Sequence, residues 1–473
     1  MKKESSSTNL NRRDFLKFAG GAVFIAAGAG LVPQVLRRTL LPEEVVEAQG
    51  SVDLYLAGTD GWMYLPPTPQ IIRPSSVAGG ALLHPDSAAP DPFTTYIFGF
   101  RNVTLLSETQ KLAQKFKAQH NAPLFWLNQF DPANQVDFNV QVTNLGLELR
   151  PDLFDAHTLH WHGFRNVIPF FDGEPSGSIG IPSGRNFTYV YRPREEGTYM
   201  YHCHVEDVEH VQMGMTGLVF VRPLQDGNIS LYSSGKYIYN DGDGSTGYDR
   251  EFAMFLSEVW TDSHWADAHV QLPEWSDYKA DFAMLNGRVY PDTIAPNSPI
   301  NAGTSEHWLD VQTDANGDLL PPAGYPHLQY NPHSSLVTCN AGERVALRFA
   351  NLGFKEQAMT LAGIQMRVVG RDATLMRGRS PYGGITPGTN TQYETDTINI
   401  GAGESFDVIF TAPAHSGGSG SSGLGYDTYM LYNRNYISSN NLAPGGFGGQ
   451  ATEVRVYGSG TVGSQQYPND WGI

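Results

Sequence analysis

His202-Cys203-His204, followed by His210 and Met215, is the stretch on which the reading of this chain turns, and His157-Thr158-Leu159-His160-Trp161-His162-Gly163 is its companion. Read as extended strands, both segments send alternate side chains to opposite faces. His160 and His162 then share one face, while Trp161 points into a core. In the second segment the thiol points one way and its two histidine neighbours the other. One strand can thus bridge two sites back to back, Cys203 serving one and the flanking imidazoles the other. Six of the fourteen histidines lie between His157 and His210, a clustering that scatter does not produce.

The surrounding sequence reads as strands too. Val136-Asp137-Phe138-Asn139-Val140-Gln141-Val142 and Asn186-Phe187-Thr188-Tyr189-Val190-Tyr191 alternate with a period of two, as half-buried strands do. Beyond residue 50 only Glu108 to His120 reads as helical. With 51 glycines, 30 prolines and 12% aromatic residues, the chain favours many short strands joined by turns. Its 40% hydrophobic and 17% charged residues mark a globular protein. A formal charge of −17 repels phosphate backbones, which argues against a nucleic-acid partner. Two cysteines exclude a disulfide scaffold.

An internal repeat organises the chain. Val142-Thr143-Asn144-Leu145-Gly146 echoes Phe349-Ala350-Asn351-Leu352-Gly353, Ile181-Pro182-Ser183-Gly184 echoes Ile400-Gly401-Ala402-Gly403, and Gly197-Thr198-Tyr199-Met200-Tyr201 echoes Asp427-Thr428-Tyr429-Met430-Leu431. The order is the same in both halves. The expected fold is all-β, with two tandem β-sandwich or barrel domains at 51–225 and 250–460. A polar Gly/Ser/Asp-rich linker at 226–249 joins them, a tail follows at 461–473, and Ser416 to Gly423 reads as a loop tip. His264 and His269, in Thr261-Asp262-Ser263-His264-Trp265-Ala266-Asp267-Ala268-His269, read as part of a solvated loop.

Residues 1–50 stand apart. Asn11-Arg12-Arg13-Asp14-Phe15-Leu16-Lys17 precedes an uncharged Ala/Gly-rich stretch from Phe18 to Leu36 that contains Pro33. That stretch is weakly apolar for a membrane span. It resembles a twin-arginine export signal. The resemblance implies a periplasmic or extracellular protein, exported folded, with cleavage near Val46-Glu47-Ala48 and no membrane span in the mature chain, the alternative being an uncleaved anchor.

The ligand types select a metal. One thiolate, two imidazoles and a distant thioether form the soft trigonal set of blue copper, and His157, Cys203, His210 and Met215 supply it. Zinc takes four strong ligands and has no use for a weak axial sulfur. Pairing Cys203 with Cys339 would leave six clustered histidines unexplained, so Cys339 reads as a small buried apolar residue.

Together these motifs resemble the multicopper oxidase superfamily, built from cupredoxin-like Greek-key (plastocyanin-like) domains and including laccases and copper nitrite reductases. The resemblance implies that His157, Cys203, His210 and Met215 hold a type 1 copper. It implies that His160, His162, His202 and His204 are half of the eight histidines of a trinuclear centre. Asp172, before Gly173, stands where laccase-like relatives carry a proton-relay acid, with a turn former as the plainer reading. A small-molecule, metal-ion or protein reductant would give electrons at the type 1 copper, near the surface by His210. They would pass through the Cys203 backbone to the second centre and reduce dioxygen. Glu206, Asp207 and Glu209 read as a solvated loop face; lining the copper, they would favour a cationic partner.

Two departures stand out. Five residues separate His204 from His210 where the family has three, so Met215 keeps the family spacing from His210 and Met213 keeps it from Cys203. Met215 is preferred because Gly214-Met215-Thr216-Gly217 preserves the local turn. In the second half, Gln357, Thr360 and Ala362 occupy the places of His157, His160 and His162, and Tyr432, Asn433 and Arg434 those of His202, Cys203 and His204. Two-domain relatives form head-to-tail homotrimers, but that arrangement would leave this centre with half its ligands. The four histidines suit a copper pair, a single copper as in nitrite reductases, or a cluster completed by another polypeptide. In the nitrite-reductase pattern the usual acid falls at His160, and His327, His333 or His415 would supply the third histidine. The expected function is an exported copper oxidoreductase reducing dioxygen, the alternatives being a nitrite reductase or a non-catalytic blue-copper electron carrier or scaffold.

Overall fold

The computed structural model describes residues 51–473, apart from 68–70, 73–81, 92, 166, 380–384, 418–422 and 444. Residues 1–50, where the sequence resembles an export signal, and the centre of the Gly/Ser run lie outside the described residues. Val52–Ile473 form one compact unit. The strands of its two sandwiches are β1 (Leu54–Tyr64), β2 (Thr94–Asn102), β3 (Phe125–Asn128), β4 (Phe138–Asn144), β5 (His160–His162), β6 (Asn186–Tyr191), β7 (Gly197–His202) and β8 (Thr216–Arg222) in the first. The second has β9 (Arg250–Val259), β10 (Phe282–Leu285), β11 (Val337–Asn340), β12 (Arg344–Asn351), β13 (Gln357–Leu361), β14 (Met366–Arg371), β15 (Thr397–Ile400), β16 (Ser405–Thr411), β17 (Tyr426–Asn433) and β18 (Ala451–Tyr457).

The two sandwiches share one topology. The first stacks sheet β2-β1-β4-β6 on sheet β3-β8-β7-β5, and the second stacks β10-β9-β12-β16-β14 on β11-β18-β17-β13-β15. Each has the same two parallel pairs: β1 with β4 and β9 with β12, then β3 with β8 and β11 with β18. The repeat holds at the level of single hydrogen bonds. Asn144 donates through Nδ2 to the carbonyls of Asp155 and Ile181, and its Oδ1 accepts from Gly146 N. Asn351 does the same with Lys355, Ile400 and Gly353.

Alternation along β7 positions everything that follows. Tyr199, Tyr201 and then Cys203 point into the first core, where Trp161 stacks on Tyr191 at 4.2 Å. Thr198, Met200 and His202 point the other way. Met200 packs with Trp126 and Phe220 against Phe255 and Ala350 of the second sandwich. Beside this seam, buried Arg348 lies 3.1 Å from Glu251 and 3.5 Å from Asp407, and Asp407 accepts from Thr198 Oγ1 at 2.5 Å. Glu251 also meets Arg222, and burial without such partners would be costly for every one of these charges.

Two segments differ from the sequence reading. Glu108 to His120 keeps only one short helix, α1 (Glu108–Leu112), capped by Ser107. Within the 226–249 linker, Tyr237, Ile238 and Tyr239 are fully buried, and Tyr239 donates to Asp407. The 261–269 segment is no solvated loop. It forms α3 (Thr261–Ala268), following α2 (Asp207–Met213), and His264 is buried with Nδ1 2.5 Å from the Tyr96 carbonyl. His269 lies 2.9 Å from Asp86 and stacks on Trp265. Among the described residues no helix is long and apolar enough to cross a membrane.

Candidate metal centre

Two clusters stand on opposite sides of the β7 end. In the first, the ligand atoms of His157, Cys203 and His210 lie within 4.8 Å of one another, and all three residues are fully buried. Cys203 Sγ is 3.2 Å from His210 Nδ1 and accepts the Thr158 N–H at 3.4 Å. Both cysteines are free thiols, so no bond ties Cys203 to Cys339; that second thiol is buried in the other core, where burial pushes it up to about 12. Burial works against a thiolate at Cys203 as well. There, however, the His210 imidazolium and the hydrogen bonds from His157 and His210 outweigh burial and hold the thiol well below its ordinary value. His210 shows the reciprocal effect: burial lowers it, but Cys203 and Asp155 carry it to about 10.

This set fits copper. Neither ring nitrogen of buried His157 has an oxygen or nitrogen partner, and the ring hydrogen-bonds the Cys203 sulfur, which suits a soft ion held between them. Met215, also fully buried, stands beside His157: a Cβ on Gly58 would meet His157 Cδ2 at 2.8 Å and the Met215 methyl at 3.3 Å. Met213 belongs to α2 instead. The two extra residues of the ligand loop are taken up by Glu206, in the left-handed region, and by the first turn of α2, which delivers His210.

The expected exposure near His210 is not found. Phe98 meets the His210 ring edge-on at 5.6 Å. Asp155 stands 3.4 Å from Nε2, and Glu209 hydrogen-bonds Asp267 of α3. His264 binds the Gln212 carbonyl, so α3 is fastened to α2 as a cover.

In the second cluster, ring nitrogens of His160, His162 and His202 lie within 4.8 Å of one another. Register brings them together: His160 pairs with His202 across β5 and β7, and His162 with Met200. His204 joins with its ring 5.0 Å from that of His160. Two rings are oriented by carbonyls. His160 Nδ1 donates to the Asp172 carbonyl at 2.7 Å and His202 Nδ1 to the Cys203 carbonyl at 2.8 Å, leaving each Nε2 lone pair for a metal. Burial lowers His160 and His162 and takes His202 to about 3, so these rings are neutral near pH 7. The Asp172 carboxylate is 3.5 Å from His160 Nδ1 and partly exposed.

The chain's own second sandwich borders this cluster, where a Cβ on Gly403 would meet His162 Nε2 at 2.8 Å. It brings no imidazole. His327 pairs with Asp292 and His415 with Asp427; His333 is buried beside Arg288, and none joins a described metal cluster. At the place of the copper set, Gln357 bonds Glu258 and Asn433, and Asn433 also bonds Gln450. The register is conserved, with Thr360 opposite Tyr432 as His160 is opposite His202. An amide network thus occupies the position of the first sandwich's thiolate cluster. Gly58, Asp155, Thr158 and α3 were not singled out from the sequence; only a glycine inside a strand, in Leu54–Tyr64, gave a signal.

Two cupredoxin-like sandwiches in tandem, with one copper-type thiolate set backed by an imidazole cluster, resemble the arrangement of multicopper oxidases. Multicopper oxidase family models match residues 110–226 and 323–419. Copper resistance protein A of Escherichia coli is 25% identical over 270 residues, 56% of this chain and 39% of that protein. Laccase-like multicopper oxidase 1 of Thermothelomyces thermophilus is 25% identical over 272 residues, 53% of this chain and 36% of that protein. The chain therefore spans about two fifths of the length of these curated relatives. Among solved structures, the blue copper oxidase from Nitrosomonas europaea shares the fold with a TM-score of 0.51 at 19% identity, covering 85% of each chain.

Proposed function

We propose that this chain is an exported copper-dependent oxidoreductase that takes electrons from a reductant at a type 1 site and passes them to an imidazole-bound copper centre reducing dioxygen. The observation that carries this is the back-to-back placement of the two clusters on one strand end, linked by the His202–Cys203 hydrogen bond at 2.8 Å. His157, Cys203, His210 and Met215 would hold one copper, and His160, His162, His202 and His204 the other centre. Bound copper supplies one-electron redox chemistry at both places.

The protein's own groups do the rest. Thr158 N–H and the two imidazoles keep Cys203 a thiolate, and the buried core excludes water from it. The Cys203 carbonyl holds His202, so the thiolate residue reaches the imidazole cluster both along the chain and across a hydrogen bond. The Asp172 carbonyl fixes His160, and its half-exposed carboxylate beside that ring can relay protons from solvent. The four imidazoles are half of a trinuclear set. A homotrimer of this chain would bring Gln357, Thr360, Ala362, Tyr432, Asn433 and Arg434 rather than histidines, so the centre holds fewer coppers unless another polypeptide completes it. The Arg12-Arg13 segment supports export to the periplasm or beyond.

Oxygen uptake and nitrite loss, measured on one copper-loaded preparation with aromatic, metal-ion and protein reductants, test this reading. Oxygen uptake that disappears in His202→Ala supports it. Nitrite loss without oxygen uptake moves the assignment to a nitrite reductase, and neither reaction leaves a blue-copper carrier.

A further inference from the structure

With both imidazoles of the thiolate cluster fully buried, a reductant in solution can touch neither ring. A cavity of about 570 Å³ lies between the first sandwich and the 326–331 segment, lined by Trp62, Tyr64, Phe116, His327 and Tyr330 among others. From it an unbroken file of rings leads inward. Trp62 and Tyr96 are cross-strand partners on β1 and β2 with centroids 5.5 Å apart. Tyr96 meets Phe98, two residues on, at 5.5 Å, and Phe98 meets His210 at 5.6 Å. Tyr96 donates its phenolic hydrogen to Asp60 Oδ2 at 2.7 Å, and Asp60 also accepts the Glu148 and Leu149 N–H groups. In the cavity wall, His327 Nε2 faces Asp292 at 3.1 Å while its ring meets Tyr64 at 4.4 Å.

Resting on the function proposed above, we propose that this cavity is the electron-entry site for a planar aromatic one-electron donor, and that Trp62, Tyr96 and Phe98 relay the electron to His210. The oxidant would be copper(II) held by His157, Cys203 and His210. Tyr96 would give up one electron to it across Phe98, and the phenolic proton would move along the existing hydrogen bond to Asp60. Trp62 returns an electron to Tyr96, the proton returns from Asp60, and the donor refills Trp62. The donor thus loses one electron and one proton, the latter to the His327–Asp292 pair. The copper site would gain one electron, and no proton would be left in the core.

The test is anaerobic stopped-flow bleaching of the blue band by hydroquinone in the copper-loaded full chain. Trp62→Phe and Tyr96→Phe keep the rings but remove the oxidisable groups, and each should slow bleaching by about tenfold or more. Copper content and the reduction potential of the blue site should stay as in the wild type. Bleaching at the wild-type rate in both variants overturns the relay. In the metal-free chain, p-nitrophenol should quench tryptophan emission, and the quenched component should vanish in Trp62→Phe; no quenching overturns the cavity as the entry site. Should no blue centre form at all, the functional reading above fails, and the quenching arm still judges the cavity by itself.

Discussion

Gly58→Ala tests whether β1 leaves its glycine for the copper set. The added Cβ would lie 2.8 Å from His157 Cδ2 and 3.3 Å from the Met215 methyl. Carbon atoms rest at about 3.5 Å or more, so the imidazole must retreat by roughly 0.7 Å, the difference between 3.5 and 2.8. Metal–ligand distances tolerate about 0.2 Å, so the displacement exceeds what coordination accepts. The ring cannot move freely, because His157 is buried and its backbone is bonded both ways to Ile181 at 3.0 and 2.9 Å. Overpacking costs roughly 1–3 kcal/mol, against which alanine regains roughly 0.5–1 kcal/mol over glycine inside a strand. The metal-free variant should fold, with copper affinity at the thiolate cluster lowered about tenfold or more and an altered blue spectrum. Copper titration with visible absorption reads both, and the imidazole cluster, untouched by the change, is the internal control. A variant with the wild-type spectrum and affinity would refute the steric argument.

Three further outcomes follow from the structure. Gln357→Leu removes the bonds to Glu258 and Asn433 and should cost roughly 1–3 kcal/mol in denaturant melts without changing copper content, because amides stand there in place of the thiolate and imidazoles. Burial raises Glu251, yet Arg222 and Arg348 more than reverse this and hold it at about 2. A carboxylate depressed on folding stabilises the fold above its unfolded value near 4.5 and ceases to as pH falls through about 2, so roughly 3 kcal/mol should be lost across that window in acid melts. Gly173→Ala places a side chain at φ +77° against the Leu159 carbonyl and should pull the Asp172 carbonyl off His160. Electron paramagnetic resonance should then show a weakened imidazole-bound copper beside an intact thiolate site.

The parts of this structure visible in the sequence are those governed by local rules. Alternation about Cys203 separates the two clusters because side-chain direction on a strand depends only on parity. The Asn144 and Asn351 motifs matched as words because each asparagine closes its own turn with the same bonds. The substitutions at Gln357, Thr360, Tyr432 and Asn433 were legible for the same reason, since the register of β13 on β17 copies that of β5 on β7. Packing between distant segments was not legible. His264 sits in a polar-looking stretch, and nothing local says that α3 folds down over His210. Tyr237 and Tyr239 lie in a segment whose glycines and serines suggest solvent, yet Asp407, far along the chain, buries Tyr239 with a hydrogen bond. Gly58 becomes meaningful only once His157, a hundred residues away, is placed against it.

The central claim is that Cys203 holds a copper that communicates with a separate imidazole-bound centre. Copper analysis with electron paramagnetic resonance on the loaded full chain, beside Cys203→Ser, tests it most directly. One narrow-splitting, intensely blue copper per chain together with additional imidazole-bound copper, the blue signal alone vanishing in the variant, is the expected result. A colourless wild type, or blue colour that survives in Cys203→Ser, would contradict the account.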